Sequence, residues 1–127
     1  LAGIGNRRSL VYVGNLVSAI GACIDCPASA GRTYNVTDGA AVSTPQLVRA
    51  IASALGRPAR LFSIPPGWLE GGGALLGRAE TVKRLTRSLE LDDRAIRAEL
   101  SWQPPSTFEG GIGQTARWYE GSATNLR

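Results

Sequence analysis

The side chains best suited to chemistry in this sequence are its arginines. Of 14 Lys plus Arg only Lys83 is lysine, and Arg7-Arg8 stand directly before the apolar run Leu10-Val11-Tyr12-Val13. A planar guanidinium fork meets two phosphate oxygens at once, which an ammonium does not. Arginines at the start of a strand lie at the rim of a sheet, within reach of an anionic ligand. Arg78, Arg84 and Arg87 make a second basic group ahead of Ser88-Leu89-Glu90-Leu91. Two arginines from separate segments, converging on a diphosphate, would offset its roughly two charges. The competing reading of the same residues is solvated surface charge, with the arginine skew reflecting GC-rich codon usage.

Other chemistry is harder to build from these residues. With no His, the chain lacks the commonest general base and metal ligand, and neither a Ser-His-Asp nor a Cys-His arrangement can form. A zinc site would need carboxylates alone to complete the Cys pair. That pair, Cys23-Ile24-Asp25-Cys26, falls at the end of an expected helix just before Pro27. There the helix dipole opposes thiolate formation, so the reading is of free thiols, not a redox couple. Gly71-Gly72-Gly73-Ala74-Leu75-Leu76-Gly77 has a superficial dinucleotide-loop spacing, but Pro65-Pro66-Gly67-Trp68 precedes it where an apolar strand is required. No Tyr is followed four residues later by Lys. The basic residues stand singly among acids and apolar positions, which does not suit nucleic-acid binding.

The elements that must position these arginines follow from periodicity. Leu10 to Val13 reads as a short strand. Asn15 is a candidate cap for a following helix with Leu16, Ile20, Cys23 and Ile24 on one face. Thr33 to Thr37 reads as a second strand with Tyr34 and Val36 on one side, turning at Asp38-Gly39. The clearest helix has Thr44 as cap, Pro45 at its first position, Leu47, Val48, Ile51, Ala52 and Leu55 at helical spacing, and Gly56 as its stop. Arg60 to Ile64 reads as a third strand, and Trp68 to Arg87 as helical pieces broken by glycines. Asp92 is placed to cap a short helix ending near Leu100. Ser106 and Glu109 have capping-box spacing for a last helix with Phe108, Ile112, Ala116 and Tyr119 inside. Residues 1–120 are expected to form one small α/β domain, and 121–127 a loose tail.

A length of 127 residues suits a single domain, and 43% hydrophobic with 19% charged residues is ordinary for a globular protein. Nothing approaches a membrane span or a signal peptide, so no membrane partner is expected. The lack of a disulfide framework suits a cytoplasmic setting. With no Met and Leu at position 1, the natural start is expected to lie upstream.

In order along the chain, these segments resemble the carboxy-terminal, substrate-binding part of nucleotide-sugar epimerases and dehydratases, extended short-chain dehydrogenases of the UDP-glucose 4-epimerase kind. Arg8 to Leu16 is similar to their Arg-x-x-x-[His/Tyr]-Val-x-Asp-Leu stretch, with Asn15 where Asp is usual. Gly31-Arg32-Thr33-Tyr34-Asn35-Val36 resembles their Gly-x-x-Tyr-Asn-[Val/Ile/Leu] strand, and Ser43 to Gly56 the helix after it. Leu61 to Pro65 resembles the strand and proline turn that come next. Leu100-Ser101-Trp102-Gln103-Pro104 is similar to the Leu-Gly-Trp-x-Pro ending. The resemblance implies that Arg8, with Arg84 or else Arg87, contacts the diphosphate of a UDP-sugar. It also implies that NAD or NADP and a Tyr-x-x-x-Lys pair belong to an amino-terminal Rossmann half, so that this part binds no cofactor and shows no turnover alone. The parent protein is a possible homodimer. The rival expectations are a non-catalytic member of the family and a stand-alone interaction or scaffold module.

Overall fold

The computed structural model describes residues 5–59, 61 and 87–124. Within them stand four α-helices, α1 (Val13–Asp25), α2 (Thr44–Ala54), α3 (Arg94–Leu100) and α4 (Phe108–Thr124), with a 3-10 turn at Pro27–Ser29. Among the described residues no strand forms. Extended pairing is limited to isolated bridges of Arg8, antiparallel to Val42 and parallel to Leu89. The α/β expectation is therefore met in its helices only. Leu10 meets Asp38 through one backbone bond, Asp38 N–H donating to the Leu10 carbonyl at 2.9 Å. A ladder needs a neighbour along its whole length, and these short segments have none there. Of the strand expected over 60–64 only Leu61 is described, and of the helical pieces expected over Trp68 to Arg87 only Arg87; the rest lie outside the described residues.

The chain divides into two compact units, Leu1–Arg8 with Val42–Leu89, and Ser9–Ala41 with Glu90–Arg127. In the first, α2 is capped by Ser43, one residue before the expected Thr44. The Ser43 hydroxyl accepts from Gln46 N–H at 3.3 Å, and Gln46 Oε1 accepts from Ser43 N–H at 2.7 Å. This reciprocal box satisfies two donors that the helix itself cannot. Pro45 then falls inside the first turn, and Gly56, at φ +61°, ends the helix as expected.

The second unit has its core at Ala19, Ile96 and Trp102, flanked by Ala22, Cys23, Tyr34, Val36 and Leu100. Tyr34 and Val36 thus share the inner side, as the alternation predicts. The inner face of α1 differs from the expected one. It carries Asn15, Ala19, Ala22 and Cys23, whereas Leu16, Ile20 and Ile24 face outward. The pattern misleads because α1 is apolar on both sides, and the small residues are the ones that let it approach the core.

Asn15 does not cap α1 either, since the cap position is Tyr12. The cap of α4 also moves, because Thr107 Oγ1, not Ser106, accepts from Gly110 N–H at 3.1 Å. This helix runs to Thr124, so the first four residues of 121–127 are helical. Its expected inner set holds for Ala116, Phe108 and Ile112, but Tyr119 is exposed. Gly111 is buried against Tyr12. A Cβ there would lie 2.7 Å from the Tyr12 Cβ, so glycine is required by close approach.

Candidate functional site

Arg8 is fixed by its backbone. Its N–H donates to the Val42 carbonyl at 2.9 Å, and its carbonyl accepts from Val42 N–H at the same distance. On its other side the chain pairs with the segment beginning at Arg87. Leu89 N–H donates to the Arg7 carbonyl at 2.8 Å, and Arg7 N–H donates to Ser88 Oγ at 3.0 Å. Arg8 is half-buried and Arg87 exposed. Arg8 and Arg87 thus belong to neighbouring segments of one unit. Arg84, the other expected partner, lies outside the described residues, as do Arg78 and the Gly71–Gly77 run.

Asn6 organises this corner, and sequence reasoning passed over it. Its side chain is buried; Oδ1 accepts from Thr44 N–H at 2.9 Å and Nδ2 donates to the Arg87 carbonyl at 3.3 Å. One amide therefore joins the start of α2 to the Arg87 segment, 81 residues away in sequence. A lone polar residue beside two arginines carries no periodic signal.

The second unit holds a buried polar network at the start of α1. The Asp38 carboxylate accepts from Tyr12 N–H at 3.0 and 2.8 Å, and from Asn15 Nδ2 at 2.7 Å. Asn15, fully buried, also donates to the Ser106 carbonyl at 2.8 Å and accepts from Ser106 N–H at 2.9 Å. Tyr12 Oη donates to Gln114 Oε1 at 2.9 Å. The network ties three separate stretches together and leaves none of its buried side-chain polar atoms without a partner.

Two ionic clasps hold α3. Thr37 Oγ1 and Arg97 Nη2 both donate to Asp93 Oδ2, at 2.7 and 2.8 Å, and the Arg97 guanidinium lies 5.9 Å from the Trp102 ring centre. Arg97 holds the Asp93 carboxyl below the usual range against the cost of burial. Arg32 meets Glu99 through two parallel bonds at 3.1 and 2.9 Å, and Tyr34 Oη adds a third at 2.8 Å. Tyr34 and then Arg32 draw the Glu99 carboxyl down, while partial burial and Glu99 push the Tyr34 phenol up. Cys23 and Cys26 are half-buried free thiols at the carboxy-terminal end of α1. Among the described residues no cluster could hold a metal ion, and no helix is long and apolar enough to cross a membrane.

Over 112 residues the chain is 40% identical to the UDP-glucose 4-epimerase of Vibrio cholerae, covering 88% of itself and 34% of that protein. Over 29 residues it is 59% identical to the dTDP-glucose 4,6-dehydratase of Haemophilus influenzae, covering 23% of itself and 9% of the relative. The chain is homologous to the nucleotide-sugar epimerases and dehydratases. It spans about a third of the length of the Vibrio relative. No family model and no solved structure matches it.

Epimerases and dehydratases of this kind use a dinucleotide, and the described residues do not fit one. A pyrophosphate is held by helix-end N–H groups. The Asp38 carboxylate already accepts from Tyr12 N–H at the start of α1, and a second anion there would be repelled. The start of α2 is closed by its capping box and by Asn6, and that of α4 by Thr107.

Proposed function

We propose that this chain is the UDP-binding, carboxy-terminal part of a nucleotide-sugar epimerase, dehydratase or reductase. Arg8 and Arg87 or Arg84 meet the diphosphate of the substrate. The identity with the Vibrio relative over most of the chain is the observation that carries the reading. The geometry of the first unit supports it. Leu89 stands beside Arg8 in the parallel bridge, so Arg87, two residues earlier, occupies a diagonal position across the pair. Diagonal neighbours on paired segments are within reach of one another's long side chains. Asn6 is the positioning residue, since it holds the Arg87 carbonyl and the start of α2 at once. In this reading NAD or NADP is held by the remaining part of the parent enzyme, and the chain alone gives no turnover.

The test is a chimera in which this chain replaces the matching segment of the Vibrio enzyme. UDP-glucose epimerisation and UDP inhibition are then measured. Arg8→Ala is expected to raise KM and the UDP inhibition constant about tenfold, in keeping with the loss of one charge-assisted bond pair. Arg87→Ala should do the same if Arg87 and not Arg84 is the second contact. Unchanged UDP affinity in Arg8→Ala would remove the diphosphate role.

A further inference from the structure

Cys23 and Cys26 are the only cysteines of the sequence, and both are half-buried free thiols. Their surroundings differ. Cys23 packs against the core of Ala19, Ile96 and Trp102, whereas Cys26 stands outside that set, at the residue that caps the end of α1. The two residues between them are helical, so their Cα atoms are three helical steps apart, about 5 Å. Disulfides span roughly 4.4–6.8 Å between Cα atoms. Residues three apart also present their Cβ atoms on one face of a helix. Past the cap the backbone leaves the helix, at φ −109° and ψ 108° for Cys26. One residue then holds both cysteines. The Ser29 hydroxyl donates to the Cys23 carbonyl at 2.5 Å, and Ser29 N–H donates to the Cys26 carbonyl at 3.0 Å. Arg32 N–H in turn donates to the Ser29 carbonyl at 3.0 Å, and the Arg32 guanidinium is paired with Glu99 of α3. The turn that carries Ser29 is thereby anchored at its far end.

We propose that Cys23 and Cys26 form a paired oxidation site, closing to an internal disulfide when the chain meets a peroxide and reopening when it meets a dithiol. The Cys26 sulfur, the one outside the core, attacks a peroxide oxygen as its thiolate. It becomes a sulfenic acid, and the leaving hydroxide takes up a proton as water. The Cys23 sulfur then attacks the Cys26 sulfur; the S–S bond forms, and the sulfenic oxygen departs with the Cys23 proton as a second water. Two thiols lose two electrons and two protons, and one peroxide is reduced to two waters. A dithiol reverses the change through a mixed disulfide and leaves as its own cyclic disulfide. Activation by a helix amino terminus is absent at this end of α1; backbone spacing and the Ser29 clasp bring the sulfurs together. All of these residues belong to the second unit, so the site uses no part of the Arg8 corner and does not rest on the nucleotide-sugar reading.

The test treats the 127-residue chain with hydrogen peroxide in native buffer and reads intact mass, thiol count by maleimide labelling, and peptide maps. The expected product is a monomer that has lost two hydrogens and both thiols, with Cys23 joined to Cys26, and that dithiothreitol restores. In Cys23→Ser, which removes the resolving sulfur, dimedone should trap a sulfenic acid at Cys26. In Cys26→Ser the remaining Cys23 should react about tenfold more slowly, because it is packed against the core. Equilibrated with glutathione and glutathione disulfide, the pair should show an effective concentration about tenfold higher in native buffer than in denaturing urea. Ser29→Ala should lower the native value severalfold and leave the value in urea unchanged. An effective concentration no higher in the folded chain than in urea overturns the proposal. So does oxidation that yields disulfide-linked dimers or separate sulfinic acids in place of the internal bridge. Faster trapping at Cys23 than at Cys26 would overturn the order of attack. Should the isolated chain not fold, peptide mapping of the oxidised full-length chimera decides by the same criterion.

Discussion

At Asn15 the identity of one atom decides the local structure. The motif that Arg8 to Leu16 resembles carries Asp at this position, and the sequence alone makes the exchange look mild because Asn and Asp both cap helices. The fold uses the amide differently. Its nitrogen donates to Asp38 and to the Ser106 carbonyl, two acceptors that a carboxylate would repel. Asn15→Asp is therefore expected to destabilise the chain by about 3 kcal/mol near neutral pH, from two lost bonds and a like charge in contact with Asp38. The loss should shrink toward about pH 5, since a protonated carboxyl recovers one donor. Urea denaturation at the two pH values measures it, and an equal loss at both would remove the charge argument. The arginines are the opposite case. Their residue type announces phosphate chemistry, but the residue that sets their spacing, Asn6, was silent because its partners lie far away in sequence.

Among the elements, caps explain both what was legible and what was not. The bodies of α2, α3 and α4 and the stop at Gly56 follow from apolar spacing and turn chemistry. The caps moved by a residue, because Ser43 and Thr107 compete with neighbours of equal propensity and local packing chooses between them. The face of α1 was misread for a different reason. A helix apolar on two sides offers periodicity two answers, and only the partner surfaces distinguish them. The segment Thr33–Thr37, expected to be a strand, keeps the alternation of Tyr34 and Val36 but forms no ladder among the described residues, because pairing is something no single segment encodes. The end of α3 gives a test. Ser101 sits at φ +51°, the left-handed conformation that L side chains resist, where the resembling motif has Gly. Ser101→Gly should relieve that strain and stabilise the chain by roughly 1 kcal/mol, raising its melting temperature. A lower melting temperature would mean that the Ser101 side chain contributes more than its backbone costs.

For the whole molecule, acid is the perturbation that reaches several elements together. Arg94, through its side chain and its N–H, pushes the Asp92 carboxyl from 3.8 down to about 2, and Asp93 and Glu99 are also drawn below their ordinary values. Unfolded, these groups take up protons at ordinary values, near pH 4. Below that point the unfolded chain binds more protons than the folded one, so stability falls as pH drops from about 4 toward 2 and is constant with respect to these groups above it. Asp92 and Arg94 are solvent-exposed and their pairing contributes little. Asp93, partly buried with Thr37 and Arg97, contributes more. Asp93→Asn should flatten the acid limb of a stability curve, and Asp92→Asn should leave it steep; the reverse order would contradict the burial argument.

The interleaving of the two units also has a consequence during translation. Ala19 emerges from the ribosome long before Ile96 and Trp102, the residues that complete its core. Until they arrive, the inner surface of α1 at Ala19 lacks the partners that cover it. A nascent chain arrested near residue 60 is thus expected to be a chaperone client, and synonymous codons that slow synthesis between Ala41 and Glu90 should reduce soluble yield without changing a single amino acid.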